Sequence, residues 1–490
     1  MKPNQRVSRP TKHTPVDRIG YRFQRFTHIE GISGILLVVA TLVALVLANS
    51  RWSDGYFNLL NTHFIIGFGD KATIDESLIL WINDALMAIF FFVVGLELKR
   101  EVVIGELSTF RKAVLPALAA VGGMIVPVLI FWGFNRNHPM ALEGWAIPMA
   151  TDIAFAIGVL ALVGKRAPLS LAVFLTALAI VDDIGAILVI ATFYTEQINF
   201  SMLALGFMLV ALLFFYAKMG GRWLVVYGTL GIITWFAIYF SGLHATLAGV
   251  LVALTIPVRT RVDTRSFSEW MRQLLDWFDG ENPKEKRCVP TQIQRTALFE
   301  MNQAIQLADS PLHRLEHILH PWVAFLIMPV FALANAGIII NRELLGALLS
   351  PLALGIFLGL ILGKPVGIFI ATWLGVRLNL GFLPKGVGWR HILGAGILAG
   401  MGFTMSIFIS TLAFSTGGGH AELLGFKLAS PAILAGMDQG EVTNLAKLAI
   451  LIASTLAGVT GYFVLRTSPE PGAPIERITP PERTGVTSTK

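Results

Sequence analysis

An all-α polytopic membrane protein with about twelve transmembrane helices is the fold class this sequence predicts, and three observations predict it. The 490 residues are 54% hydrophobic and only 14% charged, with a mean hydropathy of +0.68. A soluble domain carries charge on roughly a quarter of its residues. Many apolar stretches run to roughly 20 residues, enough to cross a bilayer core, whereas those of soluble α/β proteins stop at about 10 to 14. Lys and Arg residues sit between these stretches and favour alternate connections, as cytoplasmic loops do.

In chain order the apolar segments fall at 31–50, 78–98, 113–134, 144–163, 169–193, 201–219, 224–240, 242–257, 317–340, 352–375, 391–414 and 444–466. The pair covering 224–257 is short and meets at Ser241 and Gly242, so one bent hairpin element is an alternative reading there. The basic N-terminus, Lys99, Arg100, Arg111, Lys112, Lys165, Arg166, Lys218, Arg222, the loop after Pro257, and Arg377, Lys385 and Arg390 all fall on one side of this arrangement. The connections around Asp70 to Glu76, Arg136 to Glu143, Glu196, Arg342 and Glu422 are poorer in positive charge. Both termini are therefore expected in the cytoplasm.

The organisation expected is a basic cytoplasmic segment at 1–30, a first membrane part at 31–257, a cytoplasmic loop at 258–315, a second membrane part at 316–466 and a disordered tail at 467–490. The N-terminal segment lacks the short apolar core of a cleavable signal peptide. The net charge of +7 is dispersed and forms no stripe for nucleic acid, so a lipid surface is the partner it fits. Cys288, the single cysteine, builds neither a disulfide framework nor a cysteine metal site. No cofactor is expected. Within the loop, Phe267, Trp270, Leu274, Leu275 and Phe278 share one helical face, which reads as a helix on the membrane surface or as a solvated, locally folded connector.

Ionisable residues inside the spans carry the chemistry, because each costs about 2.5 to 3.5 kcal/mol to insert. Asp152, Asp182, Asp183 and Lys364 lie near the middles of their segments. Asp182 and Asp183 stand side by side on an otherwise apolar helix, about 100° apart around its axis, and can border one cavity. Sodium takes hard oxygen ligands, and a carboxylate that holds it when ionised can hold a proton when the ion leaves. Lys364, followed by Pro365, supplies a buried ammonium to pair with an Asp, either as a participant in proton exchange or as a fixed salt bridge. Pro148, just before Thr151 and Asp152, and the glycines from Gly394 to Gly402 suit interrupted helices whose ends lie at mid-depth, with Asp152 neutralising exposed N-termini. Glycine packing without unwinding is the alternative for the second segment.

At these residues the sequence closely resembles the NhaA family of bacterial sodium/proton antiporters. The likeness runs from about Phe26 to Ser415 and from about Glu441 to Arg466, and rests on Ala150-Thr-Asp-Ile-Ala-Phe155, Val181-Asp-Asp-Ile-Gly185, Gly363-Lys-Pro365, Gly402-Phe-Thr-Met-Ser406 and Leu315-Glu-His-Ile-Leu-His-Pro-Trp322. The resemblance implies an inverted-repeat fold with two crossed discontinuous helices. It implies Asp182 and Asp183 as the cation and proton site, with Thr151 a further candidate sodium ligand, and Lys364 paired with Asp182. Thr151, Asp152, Pro148, Gly402 and Thr404 then support the crossing. It implies electrogenic exchange of sodium, and lithium, for protons in the bacterial inner membrane, in a homodimer. It also implies pH response at Glu97, Lys99, Arg100, Glu101, Glu316, His317 and His320, where interfacial anchoring is the competing reading. Asp84 and His244 match too, with a helix-packing or polar-network role as their alternative. The enlarged loop at 259–313 and the extra segment near 416–440 depart from the family pattern.

A potassium/proton exchanger, a passive cation channel and an aspartyl protease are the readings that compete with sodium/proton exchange. The protease needs carboxyls facing one another around a water, whereas neighbours on one helix point apart. A channel needs a ring of acids along a continuous pore.

Overall fold

The computed structural model describes residues 30–67, 73–195, 198–280, 289–415 and 439–469. Expectations for the N-terminal segment, Cys288, most of the extra segment near 416–440 and most of the C-terminal tail fall outside these residues.

The elements run α1 (Glu30–Ala48), α2 (Ser53–Leu60), β1 (His63–Gly67), β2 (Thr73–Ser77), α3 (Leu78–Val103), α4 (Phe110–Asn135), α5 (Met140–Met149), α6 (Ile153–Val163), α7 (Leu169–Phe193), α8 (Phe200–Lys218), α9 (Leu224–Tyr239) and α10 (Thr246–Ala253). There follow α11 (Thr264–Asp279), α12 (Gln292–Ala308), α13 (Pro311–Asn335), α14 (Arg342–Gly346), α15 (Pro351–Arg377), α16 (Trp389–Ala399), α17 (Phe403–Ser415) and α18 (Gln439–Arg466). Among the described residues seven helices, α3, α4, α7, α8, α13, α15 and α18, are long and apolar enough to cross a membrane unaided. Three bent pairs raise the number to ten: α1 with α2 at 114°, α5 with α6 at 42° and α16 with α17 at 42°. The chain is a multi-pass, mostly helical membrane protein.

The two remaining expected spans are α9, of 16 residues, and α10, of 8 residues. Eight residues of helix rise only about 12 Å, so α10 does not cross the hydrocarbon by itself. Gly242 turns the chain between them at φ 83°, in the left-handed region that glycine enters freely. Ser241 closes α9 by donating its hydroxyl to the Ile238 carbonyl at 2.6 Å.

Glycines set the closest helix crossings. A Cβ on Gly122 of α4 would lie 2.4 Å from the Gly367 carbonyl of α15, and one on Gly367 would lie 2.1 Å from the Gly122 carbonyl. The two backbones therefore touch directly, as small residues permit in lipid. Gly249 of α10 likewise abuts the Ala88 carbonyl of α3, where a Cβ would sit at 2.2 Å. At the other extreme α8 leaves Leu205, Phe207, Met208, Leu212 and Phe215 exposed along one helix, the signature of a lipid-facing surface.

Two features lie beyond the expected spans. Ahead of α3, β1 and β2 pair as a two-stranded antiparallel sheet, with His63 opposite Ser77 and Ile65 opposite Asp75. Trp81 ties it to the bundle by donating its indole N–H to the Phe64 carbonyl at 3.0 Å, and Tyr239 donates its hydroxyl to Glu76 at 2.8 Å. The loop after Pro257 is a helical hairpin of α11 and α12. Asp263 caps α11 by accepting from the Arg265 and Ser266 amides, each at 2.9 Å, and bonds from Ser266 and Arg265 hold its carboxyl below the ordinary range. Phe267, Trp270, Leu274 and Phe278 are buried or half-buried, with α12 packed alongside, while Leu275 is exposed. The face read from the sequence thus splits, because part of it packs against α12, which periodicity did not reveal.

Substituting Gly122→Ala pushes α4 and α15 apart and should cost about 1 to 3 kcal/mol. A lower melting midpoint of the detergent-solubilised protein is the expected result, and an unchanged midpoint would show that the crossing tolerates a methyl group.

Candidate functional site

The site forms where the two broken helices meet. α5 stops at Met149 and α6 starts at Ile153, because Pro148 removes a backbone donor at this turn and Ala150 is extended. α16 stops at Ala399 and α17 starts at Phe403, leaving Gly400, Met401 and Gly402 between them. The two breaks join directly: the Asp152 amide donates to the Met401 carbonyl at 2.7 Å, and the Ser406 hydroxyl donates to the Ile147 carbonyl at 2.8 Å. A Cβ on Gly402 would lie 2.9 Å from the Ala150 carbonyl, so the approach needs glycine there. The second segment is unwound, and the alternative of glycine packing in a continuous helix is set aside.

Asp152 spans the crossing. One carboxylate oxygen accepts from the Phe155 amide at 3.0 Å, capping α6. The other accepts from the Thr404 amide at 3.1 Å and from the Thr404 hydroxyl, capping α17. One buried negative charge thereby meets two positive helix ends.

Asp182 and Asp183 lie on α7, each 1% exposed, and Lys364 on α15 is fully buried. The Lys364 ammonium is paired with Asp182 Oδ2 and also donates to the Thr151 hydroxyl. Thr151 Oγ1 stands 2.7 Å from Asp182 Oδ2 and 2.9 Å from the Ala399 carbonyl. A hydroxyl has one proton, so Thr151 donates to one of these at a time while it accepts from Lys364. Through Thr151 the ammonium lies beside the carbonyl end of α16, the end that favours positive charge.

The neighbouring aspartate is disposed differently. One residue further along α7, Asp183 turns about 100° away and lines a cavity of about 430 Å³. Neither of its oxygens has a hydrogen-bond donor among the described residues, nor has Asp182 Oδ1. The cavity runs from Asp183, Thr151, Asp152 and Thr404 to Glu97, Arg100, Glu316 and His320. Arg100 pairs there with Glu316, and with Glu101 at 3.1 Å. His317 is exposed, lies beside His313 and does not line this cavity. Lys99 also points elsewhere, donating to the Leu254 carbonyl at 2.7 Å and to that of Ile256, so it secures the end of α10. Asp84 and His244 form a separate contact at 3.8 Å.

Sequence reasoning missed the carbonyl of Ala399, which no residue type advertises. It also missed the reciprocal amide pair of Asn83 and Asn335, at 2.7 and 3.4 Å, joining α3 to α13. Two asparagines inside apolar spans were a usable signal for that pair.

The family described as Na+/H+ antiporter 1 matches residues 24–465. The chain belongs to that family. It is 48% identical over 452 residues to the Na(+)/H(+) antiporter NhaA of Oleidesulfovibrio alaskensis, covering 92% of this chain and 95% of that relative. It is 44% identical over 458 residues to that of Koribacter versatilis, covering 94% of each. Among solved structures, the sodium proton antiporter MjNhaP1 of Methanocaldococcus jannaschii aligns at a TM-score of 0.44 and 12% identity, over 92% of this chain and 99% of that one. The family resemblance read from five motifs holds along the chain, and membership makes the protein a transporter.

Removing the charge that caps two helices leaves several buried donors unsatisfied. Asp152→Ala should therefore cost about 3 kcal/mol or more, seen as a lower melting midpoint, with Thr404→Val costing about 1 to 2 kcal/mol. Wild-type melting in Asp152→Ala would sink the capping assignment.

Proposed function

We propose that this chain is a sodium/proton antiporter that expels cytoplasmic sodium, and lithium, in exchange for external protons, with Asp183, Asp182 and Lys364 as the exchanging groups. The observation that carries the reading is the Asp183 carboxylate: buried, without a donor on either oxygen among the described residues, and open to a cavity that leads to the end of the bundle bearing Arg100 and Glu316. A carboxyl so placed can exchange a proton for an arriving cation. Beside it, the Lys364–Asp182 pair presents a second carboxylate with one free oxygen.

Sodium entering along the cavity takes Asp183 as its first ligand and releases that proton. It then competes with the Lys364 ammonium for Asp182, with Thr151 as a further oxygen ligand. Freed from its carboxylate, Lys364 stays buried without a counter-charge and gives up its proton. Two protons leave per sodium bound, so the cycle moves net charge and the proton gradient drives sodium outward. On the far side sodium leaves, Lys364 takes up one proton and re-forms the pair, and a second proton returns to Asp183. The same groups thus hold the metal or the protons, which couples the two fluxes.

The family, the basic connections and the apolar helices favour the bacterial inner membrane, with both termini and the α11–α12 hairpin in the cytoplasm and a homodimer as the assembly. Glu97, Arg100, Glu316 and His320 stand at the cavity's far end, where their charge sets the local sodium concentration and offers a route to pH regulation. His317, turned away from the cavity, is a weaker candidate for that role. The two broken helices, each bent by 42°, support the inverted-repeat plan.

In proteoliposomes an imposed sodium gradient should drive protons the other way. Asp183→Asn and Asp182→Asn should each lower this exchange by about 100-fold or more, and full exchange in both would refute the site. Lys364→Ala should leave sodium binding but lose charge movement; retained electrogenic exchange would make Lys364 a fixed salt-bridge partner. Potassium should fail to compete with sodium, and competition would favour a potassium/proton exchanger.

A further inference from the structure

Three spans each contain one π-helical turn among the described residues: Ile82–Leu86 in α3, Val323–Ile327 in α13 and Gly359–Gly363 in α15. A π turn is one residue inserted into an α-helix, and it is found frequently at functional sites. The insertion can pass along the helix by exchange of backbone bonds. Each residue it passes swings by about 100° about the axis while the helix on either side keeps its register.

The turn in α15 ends on the residue immediately before Lys364. Pro365 follows, and having no N–H it makes neither the bond of the α register nor that of the π register. Only the Lys364 amide, which donates to the Gly359 carbonyl, then has to change partner for the registers to interchange. The turn is also seated on the helix breaks. A Cβ on Gly359 would lie 2.8 Å from Cβ of Pro148, at the end of α5, and one on Gly363 would lie 2.8 Å from Cα of Pro127 on α4. A Cβ on Gly400, at the end of α16, would lie 2.4 Å from the Leu360 carbonyl. Both broken helices therefore press on the turn, and Lys364 is the first side chain beyond it.

We propose that the π turn Gly359–Gly363 is a register switch that turns Lys364 onto and off Asp182 as the helix breaks move, with Gly359, Gly363 and Pro365 as positioning residues. This rests on the reading of Lys364 and Asp182 as exchanging groups. In the observed register the ammonium meets Asp182 and Thr151; with the insertion moved past Lys364, the side chain swings away and Asp182 is left to sodium. Glycine at 359 and 363 keeps the turn close to Pro148 and Pro127 and leaves no side chain to be dragged across them.

Deleting Leu362 tests the switch. Its side chain is 52% exposed, so little packing is lost, and four residues remain to form an ordinary α turn with Lys364 still facing Asp182. The deletion should keep the sodium KM within about threefold and lower kcat for sodium-driven proton flux by about tenfold or more. Wild-type kcat would overturn the proposal. Should the shortened protein fail to fold, hydrogen–deuterium exchange on the wild type decides. The amides of 359–364 should change their exchange rate by about tenfold or more when choline replaces sodium at fixed pH, and equal rates would overturn the switch. Asp182→Asn in the same flux assay separates the two ideas. Retained exchange there removes the underlying site, whereas lost exchange together with full turnover in the deletion removes only the switch.

Discussion

The desolvated pair of Lys364 and Asp182 is the interaction on which the rest of the architecture turns. Taking two ions out of water costs several kcal/mol each, and their attraction repays this only when geometry and further hydrogen bonds are right. Here Thr151 supplies the further bond and the carbonyl end of α16 supplies the field. Such a pair adds little stability compared with well-packed apolar residues. What it adds is a buried charge that a cation can displace, and that requires a cavity beside it and a free oxygen on its acid.

The broken helices make this affordable in lipid. Unpaired backbone at mid-depth is tolerated only where it lines a cavity or finds a partner. Asp152 answers the two N-terminal ends, and the Asp152–Met401 and Ser406–Ile147 bonds stitch one break to the other. Gly122, Gly367 and Gly402 let backbones come within contact, so α15 carries Lys364 to the crossing with no side chain intervening. The one-residue offset between Asp182 and Asp183 divides their surroundings, since one step of helix turns one acid to the lysine and the next to the cavity.

Much of this was legible in the residues. Long apolar runs gave spans within a few residues of the observed helices, because lipid forces backbone bonds to be satisfied inside each segment. Pro148 and the glycines after Gly394 marked the two breaks for the same reason. The two-stranded sheet was not legible: its strands carry Asp75 and Glu76, and what holds it is the indole of Trp81 and the hydroxyl of Tyr239 from elsewhere in the chain. The pair over 224–257 read as short, but that α10 has only 8 helical residues was hidden, since hydropathy does not distinguish a helix from apolar residues beside one. Nor did periodicity reveal α12, whose capping box of Thr291 and Gln294 was nevertheless there to be read.

By itself the sequence determined the solvent, the family and the charged groups, since the cost of an aspartate or lysine in hydrocarbon depends on residue type and depth alone. The resemblance already implied that the lysine holds Asp182, whereas only the tertiary structure decided which acid faces the cavity and that His317 stands apart from His320. The bonds that build the crossing join residues up to 259 positions apart, as Ile147 and Ser406 are, and the facing of each acid depends on rotations of one helical step. Spacing along a chain fixes the angle between neighbours on one helix, but not the direction in which that helix faces its partners.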